Sequence, residues 1–167
     1  MKMQFTSESI KQTDTFGRVL ARLLIAGDVV LLDGELGSGK TTLVRAIASA
    51  MGVDEGLVSS PTFVTINEYP ASVPLVHVDA YRLHGPDEFD SLGFDRAVAG
   101  EVIVLIEWAN RLGAALPQTG REIGILMTHA GLTARNIALE LPKSWLDRAG
   151  FSALSEMMDR GIGHERG

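Results

Sequence analysis

Residues 34–41 read Gly-Glu-Leu-Gly-Ser-Gly-Lys-Thr, which fits G-x-x-x-x-G-K-[ST] without a gap. No other stretch restricts the fold as tightly, because this spacing works only between a strand and a helix. Upstream, Asp28 to Asp33 is a short apolar run that reads as a buried parallel strand. Downstream, Leu43, Val44, Ile47 and Met51 recur at helical spacing. Glycines let the backbone curl so that N–H groups from Gly37 through Thr42 converge on one anion. The positive end of the following helix reinforces that field. The cradle takes in Glu35, Leu36, Gly37, Ser38, Gly39, Lys40, Thr41 and Thr42. In such a loop the Lys40 ammonium reaches the β- and γ-phosphates, and the Thr41 hydroxyl ligates Mg²⁺. The segment predicts a nucleoside triphosphate site.

A P-loop also needs an acidic group for the metal and its water shell, normally at the end of an apolar strand. Two stretches qualify. Val102 to Ile106 is five apolar residues closed by Glu107, and Val76-His77-Val78 ends in Asp79. Both carboxylates fall at the carboxyl ends of predicted strands, where open α/β sheets hold ligands. Glu107 and Asp79 are therefore both metal and catalytic candidates beside Lys40, and the sequence leaves open which one ligates directly. His77 and Asp79 share a strand face, but without an evident third ligand His77 reads as a packed core histidine. Pro61 fixes a bend in Ser60-Pro-Thr-Phe63, whose hydroxyls could face a γ-phosphate. Trp108 could pack against the base, a partner or the core.

The rest of the chain alternates between strands and helices. Met1 to Ser7 reads as an edge strand, and Phe16, Val19, Leu20, Leu23 and Leu24 set a helix over roughly 13–26. Thr62 to Tyr69 and Leu75 to Asp79 form a candidate hairpin, followed by a short acidic helix at 86–92. Ile123 to Met127 and Ile137 to Leu141 form a second hairpin around Ala130-Gly131. A last helix runs from Ser144 to Arg160, and 161–167 is expected to fray. The expected fold is α/β, a P-loop NTPase-like three-layer sandwich whose mostly parallel sheet carries antiparallel hairpin additions. No linker is visible, so residues 1–143 read as the nucleotide-binding domain and 144–167 as its helical extension.

Composition removes several classes. With 46% hydrophobic residues the 167-residue chain is not disordered. No apolar run approaches the ~18 residues of a membrane span, and the first ten residues lack a signal-peptide layout. The absence of cysteine excludes disulfides and thiolate chemistry and fits a cytoplasmic protein. A net charge of −6, with Lys2, Lys11, Lys40 and Lys143 as the only lysines, argues against direct nucleic-acid binding.

No Asn-Lys-x-Asp segment is present to read guanine, so ATP is the expected nucleotide. A small-molecule P-loop kinase is the alternative. Such kinases carry an arginine-rich lid, whereas Arg111, Arg121 and Arg135 are isolated and no long segment separates Glu107 from Ile123. A nucleotide-gated binding module with negligible hydrolysis is a third class.

Taken together, Gly34 to Thr42, Ser60-Pro-Thr-Phe63, His77-Val-Asp-Ala-Tyr-Arg-Leu83 and Ile106-Glu-Trp108 resemble the TsaE (YjeE) family in order and spacing, across roughly residues 5–141. Gly27-Asp28 ahead of the P-loop strand matches as well. The resemblance implies an ATPase needed to form threonylcarbamoyladenosine in tRNAs that read codons beginning with A. It implies action on a TsaB–TsaD complex, with tRNA held only through those partners and no membrane. Lys40 and Thr41 match the Walker positions, Asp79 and Glu107 the two acidic positions, and Thr62 the switch-like threonine. Val78, Ala80 and Ala109 depart from the family's commoner leucines and proline, which alters packing and turns and leaves the chemistry in place. From Ser144 onward nothing is carried over.

Overall fold

The computed structural model describes residues 1–58, 66–83, 94–116 and 119–160. The switch segment Ser60–Phe63 with Thr62, the expected helix at 86–92 and the tail 161–167 lie outside the described residues.

Seven strands form one sheet: β1 (Lys2–Ser7), β2 (Val29–Gly34), β3 (Ile66–Tyr69), β4 (Leu75–Asp79), β5 (Ile103–Glu107), β6 (Glu122–His129) and β7 (Arg135–Glu140). Their order is β1-β7-β6-β2-β5-β4-β3. The four central strands, β6, β2, β5 and β4, run parallel. The outer strands add antiparallel pairs, β3 on β4 at one edge and β7 then β1 at the other. This is the parallel core with hairpin additions that the sequence predicts.

The helices are α1 (Ile10–Ala21), α2 (Lys40–Ala50), the one-turn α3 (Phe94–Val98) and α4 (Phe151–Arg160). One face of the sheet (Val30, Leu32, Leu75, Ile103, Leu105, Ile123) packs with Phe16 and Leu20 of α1 and with Leu43 and Ile47 of α2. The opposite face (Val29, Val76, Val78, Val104, Ile106) packs with Ala97 of α3 and with Ala109 and Leu112. Burial on both faces is why β5 reads as an unbroken apolar run and not as an alternation.

Helix α1 starts earlier and stops earlier than the apolar stripe predicts. Ser9 caps it by accepting the Gln12 N–H at 3.2 Å. Its end comes at Ala21, and Leu23 and Leu24 reach the core from the turn that follows. The C-terminal segment is not the single helix expected from Ser144. A 3₁₀ turn at Lys143–Trp145 and a short turn region precede α4. Trp145 is fully buried and, with Leu154 and Met158 of α4, joins the α1–α2 core. Arg148 forms a two-pronged ion pair with the buried Asp28, at 2.5 and 2.8 Å, and stacks on the Trp145 ring. That pair fixes the C-terminal segment to the start of the P-loop strand.

Candidate functional site

The parallel strands end together on the α2 side of the sheet, and register decides what they present. Asp79 of β4 stands opposite Glu107 of β5, while Leu32 of β2 stands on the other side of Glu107. The chain leaves β2 at Gly34, whose φ is +142°. A Cβ here would come within 2.1 Å of the Met127 carbonyl oxygen on β6, so only glycine lets the loop leave along this wall. At the other end Gly39, with φ +102°, turns the chain into α2. The first intrahelical bond runs from the Leu43 N–H to the Gly39 carbonyl at 2.9 Å. The N–H groups of Lys40, Thr41 and Thr42 thus have no acceptor within the helix, which is the donor array a polyphosphate requires.

Lys40 Nζ donates to the carbonyls of Gly34 (2.8 Å) and Glu35 (2.9 Å) and stands 3.9 Å from the centroid of the Trp108 ring. Burial lowers its pKa from the ordinary lysine value, and the nearby carboxylates of Glu107, Asp33 and Asp79 offset this only in part. Thr41 Oγ1 lies 2.9 Å from both oxygens of Glu107. Behind Glu107, His77 Nε2 is 3.0 Å from Oε1, and the Tyr69 hydroxyl is 3.5 Å from His77 Nδ1. Burial raises the Tyr69 pKa. Asp79 accepts the Tyr81 N–H at 3.0 Å, which starts the 3₁₀ turn Ala80–Arg82.

Trp108 follows Glu107 with φ +60° and ψ +40°, a costly backbone state for a bulky side chain. It is held by its own N–H bond to the Leu32 carbonyl (2.8 Å) and by the Asn110 N–H bond to Asp33 (3.0 Å). Its ring packs against Tyr81, with centroids 5.2 Å apart. Together Leu36, Gly37, Gly39, Lys40, Thr41, Thr42, Asp79, Tyr81, Glu107 and Trp108 line a cleft of about 500 Å³.

Most of the residues expected from sequence therefore meet in one cleft. Glu35 contributes its carbonyl, and its side chain is turned outward. Ser38 is buried, and its hydroxyl has no hydrogen-bond partner among the described residues. Sequence reasoning did not anticipate the contacts of His77, Tyr81, Arg135 and His129. The HxD spacing had marked His77, but its bond to Glu107 crosses between strands. No cluster of three or more His, Cys, Asp or Glu suited to a metal ion occurs among the described residues. A hydroxyl with one or two carboxylates, completed by phosphate and water, is instead the donor set Mg²⁺ takes in phosphoryl-transfer sites.

Residues 7–137 match the family model described as threonylcarbamoyl adenosine biosynthesis protein TsaE. The chain belongs to the TsaE family. It is 35% identical to the Bacillus subtilis TsaE protein over 137 residues, covering 81% of this chain and 84% of that protein. The match to Mycobacterium tuberculosis TsaE is 42% over 123 residues, 68% of this chain and 72% of the relative. With Streptomyces coelicolor TsaE it is 53% over 96 residues, 55% of this chain and 64% of the relative. In three dimensions the chain resembles the crystal structure of Bacillus subtilis YdiB. The TM-score is 0.69 at 27% identity, covering 96% of this chain and 95% of that one.

Proposed function

We propose that this TsaE-family chain is a Mg²⁺-dependent ATPase required for threonylcarbamoyladenosine formation in tRNAs that read A-starting codons, acting as a nucleotide-driven switch on a TsaB–TsaD complex. The observation that carries the reading is the bond from Thr41 to Glu107 at the mouth of a glycine-built cradle, with Asp79 beside Glu107 in register. Lys40 and the first-turn N–H groups would take the phosphates of ATP. Thr41, Glu107 and Asp79 would hold Mg²⁺, which supplies charge neutralisation of the transferring phosphoryl group.

Two contacts support switching. Lys40 is bonded to carbonyls of its own loop, and Thr41 is capped by Glu107. ATP-Mg²⁺ must exchange both sets, so the occupied and empty states differ in their bonding at one end of the sheet. Thr62 belongs to the same reading as the switch residue. The negative charge of the chain supports an indirect relation to tRNA, through partners. No helix among the described residues is long and apolar enough to cross a membrane, and a cytoplasmic location is part of the proposal.

Phosphate release from ATP-Mg²⁺, measured for the chain alone and with TsaB–TsaD, tests the reading. Slow release that rises on adding the partners is expected. An unchanged rate, with label passing from ATP to a metabolite, would replace it with a small-molecule kinase.

A further inference from the structure

The far side of the phosphate loop is held by the β6–β7 hairpin. His129 and Arg135 are cross-strand partners at its tip. His129 Nε2 lies 3.2 Å from the Leu36 carbonyl. Arg135 donates from Nη2 to the Gly37 carbonyl at 3.1 Å and from Nε to the Ser38 carbonyl at 2.8 Å. Three successive loop carbonyls are thus drawn outward by two side chains of one hairpin. The remaining guanidinium nitrogen, Nη1, donates to Ala134 (2.7 Å), Gly131 (3.2 Å) and Leu132 (3.4 Å), so the hairpin itself fixes the fork.

In a planar trans peptide the C=O and N–H point in opposite directions. Holding the Leu36 and Ser38 carbonyls outward therefore turns the N–H groups of Gly37 and Gly39 toward the cleft. Left- and right-handed states lie close in energy for glycine, so Gly37 and Gly39 do not set these planes by themselves. A permanently charged guanidinium behind the carbonyls also adds positive potential to the anion site. Arginine suits this position because its planar fork presents separate donors to the Gly37 and Ser38 carbonyls in a fixed geometry, whereas a lysine offers one compact charge on a flexible stem.

We propose that Arg135 is a positioning residue for the phosphate cradle: it fixes the Ser38–Gly39 peptide plane so that the Gly39 N–H faces the polyphosphate of the nucleotide, and through the Gly37 carbonyl it holds the neighbouring plane, whose Ser38 N–H closes the turn onto the Glu35 carbonyl at 3.1 Å; this rests on the ATP-binding reading above. Because it acts on the cradle and not on the metal, it serves ATP and ADP alike.

The test is equilibrium binding of ATP and ADP with Mg²⁺ to the full chain, wild type against R135Q and R135K, with melting temperatures taken without nucleotide. Wild-type protein that binds neither nucleotide overturns the ATPase reading itself. If wild type binds, R135Q is expected to raise the Kd for both nucleotides roughly tenfold or more, with R135K in between. A folded R135Q with wild-type affinity overturns the role of Arg135, as does a drop in melting temperature with affinity unchanged. Should R135Q fail to fold, R135K decides: a raised Kd supports the proposal and a wild-type Kd refutes it.

Discussion

Thr41 and Glu107 are bonded directly to one another across 66 residues of sequence, with Thr41 Oγ1 equidistant, at 2.9 Å, from the two carboxylate oxygens. The hydroxyl proposed to ligate Mg²⁺ is thereby held at the carboxylate proposed to share that ion. Glu107→Gln keeps the shape and removes the charge. We expect it to lower Mg²⁺-supported phosphate release by roughly 10–100-fold. A Mg²⁺ titration with Asp79→Asn in parallel checks this, and a Glu107→Gln curve that overlays wild type would transfer the ligand role to Asp79.

The buried His77 stands behind the same carboxylate. His77→Leu removes that partner and leaves a buried oxygen of Glu107 short of one bond, at a cost of about 1–3 kcal/mol in stability. The larger expectation is functional. The leucine variant should lose roughly tenfold in Mg²⁺ affinity, and His77→Gln should recover part of it. Urea melts and Mg²⁺ titrations of both variants separate the two effects.

Lys40 gives a pH prediction with a definite sign. Burial holds its folded-state pKa below the ordinary 10.5, so the unfolded chain binds this proton more tightly than the folded one. Stability from this group therefore rises with pH between the folded-state value and 10.5. Lys40→Met has no titrating group here and should also lack ATP turnover. The melting temperature of wild type relative to Lys40→Met should climb as the pH is raised through that window. A difference flat in pH would contradict the buried-cation account, and normal turnover in the variant would refute the P-loop assignment.

The Asp28–Arg148 pair links the P-loop strand to the C-terminal segment, with Asp28 fully buried. Removing one member strands the other, so Arg148→Met is expected to cost about 3–5 kcal/mol. Ending the chain at residue 143 removes Trp145 and Leu154 from the core as well and should destabilise more. Denaturant unfolding of both forms tests our reading of 144–167 as an extension of the same domain. Wild-type stability in the truncated chain would make the segment dispensable.

The parallel core and the strand–loop–helix turn at 34–41 were legible because each depends on local pattern. A strand buried on both faces is continuously apolar, as β5 is, and glycine spacing marks the loop. Helix ends were read less well. The stripe through Leu23 and Leu24 implies helix where a turn delivers the same side chains, and Ser9 with Gln12 three residues later marks the true start. The last segment misread for a related reason, since apolar spacing does not separate one helix from a 3₁₀ turn followed by another. Contacts that join distant strands had no sequence signature. The Asp79–Glu107 register, the His77 bond and the Arg135 grip each depend on which strands become neighbours. The left-handed state of Trp108 likewise follows from anchors on β2.

The close approach of Gly34 to the Met127 carbonyl has a consequence for transplanting this loop. The cradle is moulded against the backbone of β6, and its outer carbonyls are gripped by the hairpin that β6 begins. A short peptide carrying residues 34–41 would have the right letters and no mould. A designer wishing to move the proposed anion site into another scaffold would have to carry β2, the start of α2 and the β6–β7 hairpin as one cassette. The smallest portable unit is a piece of sheet, and the eight-residue motif is only its visible edge.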